Sequence, residues 1–461
     1  MSENLYFMTN CAKIPVIKKC CKYLLFAGLF ACSFAGYGQP QKLAKSFKTL
    51  KSLVEESPVF SKSFTGFVLF DAEDRRMLYN RNGDLYFTPA SNTKIFTLYT
   101  AWKVLADTIP AFYYKEQGDS LLIWGSGNPL FLNPDFFPDS TAFNFLKNHK
   151  GNLYLSTDNY RDERFGSGWA WDDYGDYYQV EKSPFPIYGN LATVRKSGNG
   201  FEVFPEFLRQ RLVYNKDLPN ERAIVRREEH RNFIEYNETA GSANRLDRQI
   251  PFQCSPEMIA NLLGDTLGKE VHLLEKLRLP QKFKTVYQRA TPALYRRMMQ
   301  ESDNFLAEQL LLTSSGKIFG TMNTAKMIDY AKRKFFNELP QELIWADGSG
   351  LSRYNMATPG SVVQVLYQLY RDIPADRLFA MMPAGGVSGT IKAWYASDKN
   401  DDPYVFAKTG TLRHVHCLSG YLCAKSGKTM IFSFMHNNLS VPADDVRKEM
   451  EKVLEWIYAN Y

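Results

Sequence analysis

The sequence predicts an α/β (α+β) fold in which two helix-containing parts enclose a mainly β segment. Apolar residues recur at helical intervals over residues 42–60 and again after residue 285. Between about residues 110 and 284, short strand-like runs alternate with turns rich in Gly, Asn, Asp and Pro, with one or two helices among them. Since 45% of the 461 residues are hydrophobic and 15% are aromatic, the chain has ample material for a sizeable core and for about three domains.

A leader over residues 1–38 predicts export. Lys18, Lys19 and Lys22 precede an apolar run that ends at Phe34, and small residues follow it just before Gln39. The run is too short for a comfortable membrane span. We therefore expect a cleaved signal peptide and secretion to the periplasm.

Lipid attachment at Cys32 is a second interpretation of the leader. Phe30 is bulky at a position where lipoprotein signals prefer a small residue, so simple secretion is the first expectation. Peripheral membrane association stays open. Four of the seven cysteines lie in the leader, and the remaining three, Cys254, Cys417 and Cys423, allow at most one disulfide.

Charge and histidine placement argue against a nucleic-acid-binding site and against a metal site. The formal charge of +7 falls to +4 without the leader, which carries four lysines against one glutamate. No basic block is interleaved with aromatic residues, so nucleic acid is not an expected partner. His414 and His416 alternate along one predicted strand and suggest two metal ligands or two packed side chains. Without a third ligand, we expect no metal and no cofactor.

A Ser-x-x-Lys motif stands at an apparent helix start. Pro89 suits the first helical position, and apolar residues continue at helical spacing after Lys94. Residues three apart share a helix face, so the Ser91 hydroxyl and the Lys94 amine can meet. A serine needs a base to become a nucleophile, and a lysine can serve only if its pKa is lowered. Alone, the motif fits a capped amphipathic helix better than a catalytic pair.

Two further polar clusters follow. A long helical pattern from Thr291 to Leu312 is interrupted where Ser302 and Asn304 supply a hydroxyl and an amide two residues apart, which suits a bend that turns both side chains to one site. A later strand-like run contains Lys408-Thr409-Gly410-Thr411. Its glycine lets a substrate backbone lie close, and its lysine supplies a cation for a carboxylate.

Together these motifs resemble the penicillin-recognising serine enzymes. Ser91-x-x-Lys94, Ser302-Asp303-Asn304 and Lys408-Thr409-Gly410 occur in the order and form of that group's three motifs. The long gap between the first two, with the strings at 346–353 and 382–386, resembles the penicillin-binding protein 4 family of D-alanyl-D-alanine carboxypeptidase/endopeptidases. The string Gly168-Trp169-Ala170-Trp171-Asp172-Asp173 does so too. The resemblance covers most of the chain after residue 42 and is weakest from about 185 to 250.

The resemblance implies a transpeptidase/β-lactamase-like catalytic domain whose five-stranded antiparallel sheet lies between helices. On that pattern the catalytic domain is discontinuous and combines residues 42–110 and 285–461. Residues 111–183 and 245–284 form an inserted domain II, and residues 184–244 form an inserted domain III.

The resemblance also implies roles for single residues. Ser91 attacks a terminal D-Ala-D-Ala or a cross-link with Lys94 as its base, Ser302 and Asn304 relay the proton and hold the peptide, and Lys408 polarises the site. The substrate-binding residues that it implies are Thr409, Gly410, Thr411 and Asp173, the last of which receives the amine of the stem peptide. The implied partners are peptidoglycan stem peptides and, as covalent inhibitors, β-lactam antibiotics.

Two other functions remain as alternatives. A β-lactamase-like hydrolase shares the motifs, but the sequence lacks a class A Glu-x-x-x-Asn loop at a plausible place, and the long insertion argues against it. A catalytically silent cell-wall binding protein is disfavoured because all the catalytic side chains are present. Asp172 and Asp173 also fit solvated loop acids. Four aromatic residues fit either sugar stacking or a core: Tyr174, Tyr177, Tyr178 and Phe185.

Overall fold

The computed structural model describes residues 39–136, 139–289, 291–397 and 402–461. The predicted leader lies outside this part of the chain. Among the described helices, none combines the length and the apolar character that a membrane crossing requires.

The helices of the described residues range from one turn to five. The α-helices are α1 (Gln39–Glu55), α2 (Lys94–Leu105), α3 (Thr141–Asn148), α4 (Glu238–Ser242), α5 (Pro256–Leu267), α6 (Thr291–Gln300), α7 (Asn304–Phe319), α8 (Thr324–Phe335), α9 (Pro359–Asp372), α10 (Ala375–Met381) and α11 (Ala443–Asn460). The 3₁₀ turns are Phe60–Lys62, Ala90–Thr93, Trp171–Asp173, Tyr188–Asn190, Glu206–Arg211 and Gly389–Ile391.

The strands are mostly short. They are β1 (Phe64–Asp71), β2 (Arg76–Arg81), β3 (Ile109–Gln117), β4 (Ser120–Gly125), β5 (Leu153–Ser156), β6 (Leu191–Ser197), β7 (Gly200–Phe204), β8 (Leu212–Tyr214), β9 (Val225–Arg227), β10 (Ile234–Tyr236), β11 (Asp247–Pro251), β12 (Val271–Leu273), β13 (Lys284–Gln288), β14 (Val405–Leu412), β15 (Val415–Cys423) and β16 (Thr429–Asn437).

Local sequence explains the clearest helix boundaries. Ser255 caps α5 by accepting from the Met258 N–H, and Gly268 ends the helix in the left-handed region. Asp303 caps α7 in the same way, and Gly320 ends it. These are standard start and stop residues, and α5 is one of the helices expected within the mainly β segment.

By its internal contacts the chain divides into two compact units. One contains Met1–Phe87 and Thr358–Tyr461, and the other contains Thr88–Ala357. The division of the sequence into a discontinuous catalytic domain and two inserted domains remains a prediction.

A five-stranded antiparallel sheet forms the centre of the first unit. Its strand order is β14-β15-β16-β1-β2, and the five-stranded antiparallel sheet that the resemblance implied is confirmed. Helices α1 and α11 cover one face through residues such as Val54 and Leu454, which share a core with Phe434. Helix α9 lies on the opposite face, where the Tyr421 hydroxyl donates to the Leu366 carbonyl oxygen at 2.8 Å. The sheet is thus flanked by helices on both sides.

The described residues of the second unit form three further sheets. The five-stranded sheet β12-β5-β4-β3-β13 and the three-stranded sheet β8-β10-β9 are mixed, and the three-stranded sheet β11-β6-β7 is antiparallel. The mainly β segment predicted between about 110 and 284 is confirmed, but its described residues form three α-helices rather than one or two. The eight-residue α3 and the five-residue α4 were missed because they are too short to show a helical period.

Candidate active site

Ser91 lies in a tight 3₁₀ turn rather than at the start of an α-helix. The turn Ala90–Thr93 leads directly into α2, which begins at Lys94 and not near Pro89. Ala90 has a φ of 47°, which no α-helical residue adopts. Gly350 packs so closely that a Cβ there would overlap the Ala90 carbonyl oxygen. Side chains three apart nearly eclipse in a 3₁₀ turn, so Ser91 and Lys94 still meet.

Lys94 is fully buried and contacts three polar groups. Its Nζ donates to Ser91 Oγ at 3.0 Å, to Asn304 Oδ1 at 2.6 Å and to the Ser349 carbonyl oxygen at 2.6 Å. An ammonium has three N–H bonds, so these contacts satisfy it completely. The distance to Ser91 is short enough for direct proton transfer.

Burial also changes the acidity of Lys94. Loss of solvent lowers its pKa to about 8, although the nearby carboxylates of Asp347, Asp303 and Glu308 act in the opposite direction. A lysine with its ordinary pKa is almost wholly charged at neutral pH. Here about a tenth of the amine is neutral at pH 7 and can accept a proton.

The Ser302-Asp303-Asn304 motif forms the break between α6 and α7. Ser302 is partly exposed and has a φ of 58°, which ends the preceding helix. Asn304 begins α7, where its Oδ1 accepts from Lys94 and its Nδ2 donates to the Tyr178 carbonyl oxygen at 2.9 Å. The predicted bend is confirmed, and it brings Asn304 to Lys94.

A buried carboxylate behind Lys94 was not found from the sequence. Glu308 Oε1 accepts from the Ser349 N–H at 2.8 Å, and the Ser349 carbonyl in turn accepts from Lys94. Burial, together with the charge of the neighbouring Asp347 carboxylate, raises the pKa of Glu308 to about 7. Glu308 follows Asn304 by four residues on α7, and this one-face spacing is the signal that was available.

Asp347 organises the loop that supplies Ser349. Its carboxylate accepts from the Gly350 N–H at 2.8 Å, the Ser352 N–H at 2.6 Å and Asn355 Nδ2 at 2.7 Å. Trp169 Nε1 also donates to it at 2.8 Å. The string at 346–353, which carried part of the family resemblance, therefore builds the wall behind Lys94.

Asp173 lies in the 3₁₀ turn Trp171–Asp173 and is partly exposed. Partial burial raises the pKa of Asp173, a Tyr178 hydroxyl bond opposes that rise, and the charges of Asp172 and Asp176 add to it. The Tyr178 carbonyl is the group that Asn304 contacts. Asp173 is thus connected to Lys94 through Tyr178 and Asn304, whereas Asp172 is exposed to solvent.

The Lys408-Thr409-Gly410-Thr411 cluster lies on β14 in the other compact unit. Lys408 is fully buried, and its Nζ donates to the Thr409 carbonyl oxygen at 2.8 Å. Thr409 Oγ1 donates to Thr390 Oγ1 at 2.7 Å, and Thr411 Oγ1 lies 3.2 Å from His416 Nδ1. β14 is an edge strand of its sheet, as expected of a strand against which a substrate binds.

The two histidines do not share a strand face, contrary to the prediction. His414 lies in the turn before β15, with a φ of 66°, and its Nδ1 contacts the Leu439 carbonyl oxygen. His416 is buried within β15, where loss of solvent lowers its pKa to about 3. In the described ranges no group of three or more His, Cys, Asp or Glu side chains is placed to hold a metal. Cys254, Cys417 and Cys423 are free thiols.

Comparison with known families decides the assignment. The model of the D-Ala-D-Ala carboxypeptidase 3 (S13) family matches residues 47–204 and 280–460, which include all three motifs and the 168–173 string. The chain belongs to this family. The S13 match leaves out residues 205–279, which overlap the stretch where the sequence resemblance is weakest. The S13 chain is a serine-type D-Ala-D-Ala carboxypeptidase.

Curated relatives support the assignment across most of the chain. The S13 chain is 22% identical over 432 residues to the D-alanyl-D-alanine carboxypeptidase DacB of Haemophilus influenzae, covering 82% of this chain and 86% of that protein. It is 24% identical over 436 residues to the D-alanyl-D-alanine carboxypeptidase of Actinomadura sp. strain R39, covering 84% and 80% respectively.

Solved structures confirm the predicted fold. The crystal structure of penicillin-binding protein 4 (dacB) from Haemophilus influenzae has a TM-score of 0.69 to the S13 chain at 20% identity, and it covers 89% of this chain and 99% of its own. The same protein in complex with a β-lactam has a TM-score of 0.62 at 18% identity, covering 90% and 98%.

Proposed function

We propose that Ser91 is the nucleophile and Lys94 the general base in the hydrolysis of peptidoglycan stem peptides that end in D-Ala-D-Ala. The observation that carries this proposal is the buried environment of the Lys94 amine beside Ser91. Its amine is fully buried, lies 3.0 Å from Ser91 Oγ and has a pKa of about 8. A lysine in such a setting can take up the serine proton near neutral pH.

The reaction proceeds through an acyl-enzyme. Neutral Lys94 accepts the hydroxyl proton as Ser91 Oγ bonds to the carbonyl carbon of the penultimate D-Ala. The tetrahedral intermediate collapses by breaking the C–N bond, and the terminal D-Ala amine leaves with the proton from Lys94. Water then hydrolyses the ester, which releases the shortened peptide and restores the Ser91 hydroxyl.

The remaining motif residues bind and polarise the substrate. Asn304 holds Lys94 in place through the 2.6 Å contact and also faces the peptide. On the family pattern, backbone N–H groups of Ser91 and Thr411 supply the oxyanion hole, a large contribution in acyl transfer. The other roles follow the family pattern: Ser302 relays the proton, Lys408 polarises the site, Thr409 and Thr411 bind the terminal carboxylate, and Gly410 allows close approach of the peptide backbone.

Asp173 binds the free amine of a diamino acid in the stem peptide. Its carboxylate is partly exposed, so it can receive a cation from solvent. Its neighbour Tyr178 is bonded to Asn304 through the main chain, which places the turn beside the catalytic helix α7.

The setting that suits this activity is the periplasm. The predicted signal peptide supports export, with a lipid anchor at Cys32 as the alternative and peripheral membrane association left open. Cleavage of cross-links as an endopeptidase uses the same residues and is part of the proposal. The β-lactam complex of the Haemophilus influenzae structure supports penicillin as a covalent inhibitor.

Labelling with fluorescent penicillin and mass spectrometry of defined muropeptides test the proposal. Wild-type protein is expected to label rapidly and stably, and to remove one D-Ala from pentapeptides or convert dimers to monomers. Ser91→Ala is expected to abolish both activities while the melting temperature stays near wild type, because little core volume is lost. Ser426→Ala, at an exposed loop serine, is the matched control.

The same experiment separates the alternatives. Covalent labelling of Ser91→Ala would assign the nucleophile to another serine. Rapid loss of the label from the wild type would favour a β-lactamase-like hydrolase. A wild type that neither labels nor cleaves would be a silent cell-wall binding protein.

A further inference from the structure

A large groove lies beside the Asp173 turn. It has a volume of about 1010 Å³ and runs between the segment 171–177 on one wall and the segments 222–227 and 247–250 on the other. We propose that this groove binds the amino-sugar strand to which the cleaved stem peptide is attached, together with a neighbouring peptide carboxylate. This inference rests on the proposed function and extends it from the scissile peptide to the polymer that carries it.

The first supporting observation is a pair of exposed aromatic rings. Trp171 is 76% exposed and Tyr177 is 63% exposed, and both line the groove. Such rings normally bury their faces, and the apolar face of a sugar ring is a suitable partner for them. Phe185, from the same predicted aromatic group, lies instead in the core beside Phe112.

The second observation is the distribution of arginines on the facing wall. Arg227 is buried, with its guanidinium 5.4 Å from the centre of the Tyr174 ring and its Nη2 3.6 Å from Glu181 Oε1. It therefore supports the floor of the groove. The exposed Arg222 guanidinium has no hydrogen-bond or ion-pair partner within the described part of the chain. Arg222 can therefore reach a carboxylate without first breaking a salt bridge.

The balance of charge favours a glycopeptide over a polyanion. The groove is also lined by the acids Asp172, Asp176, Glu229 and Asp247, which offset its arginines. A strongly anionic polymer would meet repulsion from this wall. A ligand rich in hydroxyl and amide groups, with an occasional carboxylate, matches both the acids and the arginines.

The position of the groove beside the peptide site indicates which ligand it binds. Asp172 lines it, and the adjacent Asp173 is the residue proposed to bind the peptide amine. Further along the same loop, the Tyr178 carbonyl accepts from Asn304. A peptide that reaches Ser91 past Asp173 therefore has its attached sugars next to Trp171.

Two matched substrates test the inference: a free pentapeptide and the same pentapeptide on its disaccharide. The wild type is expected to favour the disaccharide form in kcat/KM. Trp171→Ala and Arg222→Ala, on opposite walls, should each lose about fivefold or more on that form. Both should stay within about twofold of wild type on the free pentapeptide and in penicillin acylation. Arg245→Ala, at an exposed arginine outside the groove, is the control and should change nothing.

Several outcomes would overturn the inference. Equal wild-type kcat/KM on both substrates would mean that the groove does not bind sugar. Equal losses on both substrates in both variants would mean that the two walls support the peptide site. If the wild type cleaves neither substrate, the proposed function fails first. The groove is then judged by sedimentation with insoluble peptidoglycan, in which Ser91→Ala should bind and the double variant Ser91→Ala/Arg222→Ala should bind about fivefold less.

Discussion

Lys94 and Lys408 are both fully buried lysines, one in each compact unit, and their surroundings differ in kind. Lys94 enters α2 from a tight turn, and its amine touches a hydroxyl, an amide oxygen and a carbonyl oxygen from three separate segments. Lys408 lies on a sheet strand, and its amine donates to the carbonyl of the next residue, Thr409.

The difference shows that burial alone does not determine the role of a lysine. The amine of Lys94 is directed at a serine hydroxyl, so the loss of solvent that lowers its pKa has a chemical use. Lys408 is held along its own strand, a geometry that suits a fixed cation. The comparison therefore predicts that position 94 requires a removable proton, whereas position 408 requires a positive charge.

The largest expected effect is at Lys94. Lys94→Arg keeps the charge but cannot give up its proton, so acylation by penicillin should fall by about 10²–10⁴, the usual contribution of a general base. Lys94→Ala should be similarly inactive. Stopped-flow acylation at pH 8 provides the measurement, and near-normal rates for Lys94→Arg would remove Lys94 from the role of base.

Lys408→Ala and Lys408→Arg should differ in their acylation rates. Lys408→Ala is expected to lose about 10²–10³ in acylation rate, the scale of removing one preorganised electrostatic contact. Lys408→Arg should recover part of that loss, because the cation is kept. Thermal melting of each variant accounts for any loss of folded protein. Equal inactivity of a folded Lys408→Arg and Lys408→Ala would contradict the contrast between the two lysines.

Asp173→Asn should slow the cleavage of muropeptides and leave penicillin acylation unchanged. We expect a loss of about 1.5–3 kcal/mol of transition-state stabilisation on muropeptides with a diamino acid, the scale of a hydrogen bond to a charged group. Penicillin acylation should stay near wild type. Asp172→Asn, at the exposed neighbour that lines the groove, is the control on a stem peptide without sugars, where it should change little. Parallel losses on both substrates would assign Asp173 a structural role.

The smallest effect is a change in pH dependence at Glu308. The Glu308 carboxylate raises the pKa of Lys94, so Glu308→Gln should lower that pKa and move the acid limb of the acylation profile from near pH 8 to lower pH. The maximal rate should stay within about threefold, because a glutamine oxygen can still accept from the Ser349 N–H. Glu342→Gln, at an exposed glutamate, is the control. An acid limb that moves upward would contradict this coupling.

Short motifs predicted most of the candidate site. Secondary structure was predicted where cap and turn residues mark the ends of an element. Helix α5 and the break before Asn304 both carry cap or turn residues that the sequence displays directly. The resemblance supplied the five-stranded sheet, because strand order depends on contacts between distant segments.

The groups missed are those that meet only in three dimensions. Ser349 contributes a backbone carbonyl to Lys94, which no side-chain pattern reveals, and its N–H donates to Glu308, 41 positions away. The 3₁₀ turn at Ser91 was also missed, since it depends on the close approach of Gly350 to Ala90. Pro89 and the apolar spacing after Lys94 indicate an α-helix there, and tertiary packing imposes the tighter turn instead.

The hydrogen bond from Asn304 to the Tyr178 carbonyl bears on how this enzyme can be altered by engineering or by evolution. Residues 168–178 belong to the predicted insertion, yet they bond both to Asn304 and, through Trp169, to Asp347. Excising the insertion would leave an amide and a carboxylate beside Lys94 without their present partners. The insertion is therefore not a detachable module, and a graft between relatives must transfer both ends of each bond.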